Sequence, residues 1–156
     1  MKVFVTFLFT FLMLNCSNKV MKPVSQEETF TKLYEGSLPG AGEEGFTKEN
    51  IVINSESDWK VFCEKLKSSD FIYSRLSSTD IDFSKKTIII VVDAVRSSGG
   101  FSIKVNKIKE DENALNVYVQ RTSPAPQGMA IMVITQPIQI ITIDKTKKKI
   151  VFIEEK

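Results

Sequence analysis

The sequence predicts a mainly β, α+β domain, an antiparallel meandering sheet or sandwich covered by one principal helix. Three observations carry this expectation. One amphipathic helical stripe lies in the first half, the apolar periodicity changes from helical to strand-like at Thr87, and turn signals recur at short intervals after that point.

The elements follow in chain order. A short strand is expected at Lys32 to Gly36. Ser37 to Gly45 then holds Pro39 and three glycines, the signature of a loop, and Ile51-Val52-Ile53 forms a second strand. Ser55-Glu56-Ser57-Asp58 opens a helix, with either serine able to cap it and acids placed in the first turn. Trp59, Phe62, Cys63 and Leu66 fall at i, i+3, i+4 and i+7, one apolar stripe, while Lys60, Glu64, Lys65 and Lys67 take the other face. Cys63 is therefore expected in the core as a small apolar side chain.

Ile88 to Val92 is an unbroken β-branched run, as a strand covered on both faces requires. Phe101, Ile103 and Val105 alternate with polar residues, as do Leu115, Val117 and Val119, giving strands with one buried and one wet face. Ala130 to Ile134, Ile138 to Ile143 and Ile150 to Ile153 supply three further apolar segments. Turns are marked at Ser97–Gly100, Glu110–Asn113, Pro124–Gly128 and Asp144–Lys147. Connections this short imply antiparallel pairing, because a parallel crossover needs a dozen residues or more.

The N-terminus reads as an export signal. Lys2 is followed by an apolar stretch from Val3 to Leu14, and twelve helical residues reach about 18 Å, short of a hydrocarbon core of about 30 Å. The apolar run meets a polar segment at Asn15-Cys16-Ser17, which resembles the lipobox of bacterial lipoproteins, although Asn15 replaces the usual small residue. Residues 1–15 are thus expected to be a lipoprotein signal peptide, Cys16 the lipidated residue, 16–31 a lipidated tether, and 32–156 the domain. The expected location is the bacterial cell envelope, with a lipid anchor on Cys16 and an outer-membrane address where two membranes exist.

Composition narrows the function. The chain carries 21 basic and 19 acidic residues, interspersed, so no field for nucleic acid is expected. Histidine is absent, which removes the Ser-His-Asp and Cys-His arrangements and histidine zinc sites. With Cys16 lipidated, Cys63 has no disulfide partner, and Cys-only metal sites go as well. Glu43-Glu44 is too small a cluster to read as a calcium site. No cofactor, no metal and no enzymatic activity are expected.

Several phrases resemble the PrcB C-terminal domain. They are Ser57-Asp58-Trp59 opening the helix, Asp82-Phe83-Ser84-Lys85-Lys86 leading into the isoleucine-rich strand, Ser98-Gly99-Gly100-Phe101-Ser102-Ile103, and the Pro-interrupted Gln136-Pro137-Ile138. The likeness runs from about Leu33 to Ile153. That family takes its name from a noncatalytic lipoprotein subunit of a surface complex built around a subtilisin-like protease. The resemblance implies a protein-binding domain that assists, stabilises or regulates an exported protease. A cell-envelope structural or ligand-binding lipoprotein without a protease partner is the other reading.

Alternating strand directions place the loops at 96–100 and 123–128 at one end of a meander and the turn at 110–114 at the other. The shared end gathers Arg96, Ser97, Ser98, Gly99, Gly100 and Phe101 beside Arg121, Pro124, Ala125, Pro126 and Gln127. Glycines admit a partner's backbone, the Pro-Ala-Pro segment stays extended, and arginine is a common interface anchor, so a protein-binding surface is expected there. Glycine and proline also concentrate in turns for backbone reasons alone.

Overall fold

The computed structural model describes residues 26–40, 42–125 and 131–155. The signal segment, Cys16 and two of the expected binding residues, Pro126 and Gln127, lie outside them. Eight strands and two helices run in the order β1 (Gln26–Glu28), β2 (Thr31–Leu38), β3 (Glu49–Ile53), α1 (Glu56–Lys65), α2 (Asp70–Ser77), β4 (Lys86–Val92), β5 (Ser102–Glu110), β6 (Ala114–Thr122), β7 (Gln136–Asp144) and β8 (Lys149–Glu155). β1 falls within the stretch read as the end of the tether.

The strands form two four-stranded sheets, β1-β5-β6-β8 and β2-β7-β4-β3. One apolar core fills the space between them, built from Ile103, Val105, Ile108, Leu115, Val117 and Val119 against Ile89, Val91, Ile141 and Ile143. The second core lies on the far side of the β2-β7-β4-β3 sheet, where Trp59, Phe62, Cys63, Leu66, Ile72 and Leu76 of the helical segment meet Ile88, Ile90, Val92, Ile138 and Ile140. The domain therefore has three layers, helices on sheet on sheet. β4 and β7 are the shared partition, and this is why Ile88 to Val92 shows no alternation: successive side chains enter different cores.

The helix expected after Ser55 is α1. Ser55 Oγ accepts the Asp58 N–H at 3.2 Å, and the stripe of Trp59, Phe62, Cys63 and Leu66 is buried. Burial also pushes the Cys63 thiol up to about 11.

The structure corrects four expectations. A second helix, α2, shares the cover with α1, and its buried Ile72 and Leu76 sit one turn apart. The sheet does not meander, because β4 and β5 belong to different sheets. Pairing is not wholly antiparallel: β6 and β8 are parallel, the chain between them having passed through β7 in the other sheet. Finally, residues 131–134 are not a strand but an exposed loop entering β7.

Polar side chains join the layers. Gln139 on the inner face of β7 accepts the Val105 N–H at 2.6 Å through Oε1, beside the register shift between Val105 and Lys107 in β5. Its Nε2 donates to Glu35 Oε2 at 2.7 Å. A bulge leaves a residue unpaired in its own ladder, and here a side chain from the opposite sheet supplies a partner.

Candidate functional site

β2, β4 and β6 finish at one end of the sandwich, and β3, β5 and β7 begin there. The loops at 93–101, 122–125 and 131–135 therefore converge, although the first two join strands of different sheets. The turn at 110–114 lies at the opposite end, as expected.

The floor of this end is a buried ion cluster. Asp93, which follows β4 directly, is 1% exposed. Arg96 grips it in bidentate fashion, with Nε to Oδ2 at 3.0 Å and Nη2 to Oδ1 at 3.0 Å. From the other sheet Arg121 brings Nε to 3.2 Å from Asp93 Oδ1, an ion-pair contact that lacks hydrogen-bond alignment, and Nη1 contacts Glu154. Burial pulls the Arg121 guanidinium below its ordinary pKa, Asp93 pulls it back, and neighbouring Arg96 adds to the depression. Gln136, fully buried, donates from Nε2 to the Asp93 carbonyl at 3.2 Å and to the Phe46 carbonyl at 2.9 Å.

On this floor the loops brace one another. Arg96 and Thr135 exchange backbone hydrogen bonds at 2.7 and 2.9 Å, and Gly99 N–H donates to the Ile131 carbonyl at 2.9 Å. Thr135 Oγ1 donates to the Ser98 carbonyl at 3.1 Å, and the Arg96 guanidinium lies 4.7 Å from the Phe101 ring centroid. Gly100 adopts φ +87°, and a Cβ there would stand 2.9 Å from Pro124 Cβ, so only glycine lets these two loops meet.

Of the residues expected at this surface, Arg96, Ser97, Ser98, Gly99, Gly100, Phe101, Arg121, Pro124 and Ala125 do come together. The arginines differ from the expectation in one respect: both are committed to Asp93, and the Arg121 side chain is only 15% exposed. The outward chemistry is instead apolar. Ile131 is 76% exposed and Met132 94%, with Val133, Ile134 and Val95 also exposed beside them. Sequence reading missed this tip because Ile-Met-Val-Ile has the composition of a strand. The available signal was Pro137, since proline within a sheet is confined to edges, bulges or the start of a strand, which puts a strand start near Gln136 rather than within Ile131–Ile134. Asp93 was missed as well; a lone acid ending a fully buried run, three residues before an arginine, was its signal. Glu44 is held inside the fold, its Oε1 accepting from Gly40 N–H at 2.8 Å and Ser69 Oγ at 3.3 Å. Among the described residues no cluster of metal-ligating side chains occurs.

Fold and site together define a helix-backed β-sandwich with a loop-built, apolar-tipped end face. The family model described as PrcB C-terminal matches residues 87–144, and the resemblance read from the sequence is thereby shown for that segment. The match spans β4 to β7, and so contains Asp93, both arginines and the whole loop face. No curated protein and no solved structure matches the chain.

Proposed function

We propose that this protein is a noncatalytic, exported lipoprotein whose loop-built end binds a protein partner, an exported protease or a regulator of one. The observation that carries the reading is the exposed Ile131–Ile134 tip, held at Ile131 by a backbone hydrogen bond from Gly99 and, just past it, by the backbone pairing of Thr135 with Arg96, above the Asp93 cluster. Four consecutive exposed apolar residues are costly to leave in water, and a braced loop loses little conformational entropy when a partner covers it. The match to the PrcB C-terminal family supports a partner within a protease complex. The lipobox-like Asn15-Cys16 supports export and anchoring, and Cys16→Ser is expected to abolish incorporation of a labelled fatty acid.

The test is capture from cell-envelope extract by immobilised residues 17–156. Every buried core residue of both clusters lies within that span. An exported protease or its associated subunit is the expected catch. Ile131→Ser with Met132→Ser should weaken capture about tenfold or more without moving the thermal midpoint, since truncated interface anchors cost more than about 1 kcal/mol. Glu112→Ala, at the opposite end, should leave capture intact. Equal capture by the tip variant would refute the surface. Capture of envelope proteins unrelated to proteolysis would refute the protease association.

A further inference from the structure

Each sheet of this sandwich has two outer strands, and three of the four are protected. β1 is three residues long and covers only Ile108–Glu110 of β5, and the rest of that edge, β5 itself, is interrupted by the register shift between Val105 and Lys107. β2 carries a register shift between Lys32 and Tyr34, the Lys32–Glu35 ion pair and Gly36. β3 has five residues. Short, bulged and charged edges are the usual means of preventing strand addition. β8 is longer than β1 and β3 and unbroken, and its charges, Lys149, Glu154 and Glu155, stand only at its two ends. Its seven residues pair with β6 in unbroken register, contain no glycine or proline, and centre on Ile150-Val151-Phe152-Ile153, all partly exposed. Among the described residues no strand pairs with its other side.

The faces of β8 follow from its register. Ile150, Phe152 and Glu154 align with Leu115, Val117 and Val119, which are buried between the sheets. Lys149, Val151, Ile153 and Glu155 therefore line the outer face, in the order cation, apolar, apolar, anion. Read against its own reverse, that order is complementary. Glu155 is already held as a carboxylate on that face by Lys107 at 2.6 Å, whereas Lys149 makes no ion pair among the described residues.

We propose that β8 is a self-association edge, pairing antiparallel with β8 of a second copy about a two-fold axis at Phe152 and joining the two four-stranded sheets into one. A two-fold normal to the sheet keeps outward residues opposite outward residues. With the axis at Phe152, Lys149 faces Glu155 of the second copy and Val151 faces Ile153, and symmetry repeats each pair. Moving the axis to Val151 sets Lys149 against Ile153, and moving it to Ile153 sets Val151 against Glu155. On the outer face, cross-strand pairing of charge and of apolar side chains selects the Phe152 register, at the cost of setting Ile150 opposite Glu154 on the inner face.

Sedimentation equilibrium on residues 17–156 tests this. Wild type is expected to show a reversible monomer–dimer equilibrium, with hydrogen exchange of the β8 amides slowing as concentration rises. Lys149→Glu and Glu155→Lys each place like charges at both ends of the paired strands, and each should raise the dissociation constant about tenfold or more. An equimolar mixture of the two variants should recover dimer, because every end pair is then opposite in sign. Val151→Asp, which leaves the Lys107–Glu155 pair intact, should dissociate the dimer while the monomer keeps its circular dichroism. A wild type that stays monomeric into the millimolar range would overturn the proposal, as would a dimer indifferent to these variants or a mixture no tighter than its components.

Discussion

Arg121 Nε lies 3.2 Å from Asp93 Oδ1, and this ion pair ties the end of β6 in one sheet to the residue just past β4 in the other. Arg96 adds a bidentate grip on the same carboxylate from its own loop. Asp93 is therefore a buried charge neutralised by two cations, and removing it leaves those cations to be resolvated in place. Asp93→Ala is expected to cost about 3 kcal/mol and Arg121→Ala somewhat less. The double variant should lose less than the sum, because either change alone breaks the shared contact. Urea denaturation of the four proteins measures the coupling; strict additivity would show that the two side chains do not interact energetically.

Gly99 and Gly100 are neighbours in sequence with different constraints. Gly100 combines φ +87° with the approach of Pro124, whereas a Cβ on Gly99 would meet Val133 Cγ1 at 3.5 Å, an ordinary contact. Gly100→Ala should destabilise the domain by about 1–3 kcal/mol, and Gly99→Ala by about 0.5 kcal/mol or less. Thermal unfolding of the two variants side by side separates them. A reversed order would mean that the 123–125 loop moves away freely.

Much of the architecture was legible because the local patterns answer to one physical cause each. The β4 run without alternation required two covered faces, and the i, i+3, i+4, i+7 stripe of α1 required one. The convergence of the 96–101 and 121–125 loops was reached from strand direction alone, and it holds although β4 and β5 sit in different sheets. What pattern does not encode is which sheet a strand joins, since a crossing between sheets and a hairpin need the same turn residues. α2 escaped for a different reason: its short span, Asp70–Ser77, carries an apolar set of only Ile72, Tyr73 and Leu76 against the core. The Ile131–Ile134 tip went unread because composition reports apolar residues without saying whether anything covers them.

At the opposite end, the turn between β5 and β6 is organised by one carboxylate. Asp111 Oδ1 accepts the backbone N–H groups of Asn113 and Ala114 at 2.9 and 2.8 Å, and Oδ2 accepts from Asn116 Nδ2 at 2.7 Å. The Asn113 N–H first, then Asn116 and Ala114, holds its pKa below the ordinary 3.8. A carboxylate with a depressed folded-state pKa contributes stability that is present above the unfolded value and lost as pH falls through the folded value. The window here therefore opens below about pH 4. Asp111→Asn should flatten the acid limb of the stability curve in that window. Parallel acid limbs for variant and wild type, in urea unfolding at stepped pH, would show that the turn does not depend on the charge.

Cys63 titrates from the other direction. It lies in the α1 stripe, 3% exposed, and desolvation first, with Glu64 second, raises its thiol from 9.0 to about 11. Two outcomes are expected. Alkylation at pH 8 should be slow in the native protein and fast in denaturant, because the nucleophile is the thiolate and burial disfavours it. Stability should also fall as pH rises between 9.0 and about 11, where the unfolded thiol ionises and the folded one does not. Tyrosines and lysines titrate in the same range, so the quantity to read is the difference between wild type and Cys63→Ala. That variant should fold at a cost of about 1 kcal/mol near neutral pH, and the cost should shrink as the pH approaches 11. A difference that does not change with pH, or rapid native alkylation, would place the thiol in water rather than between α1 and the sheet.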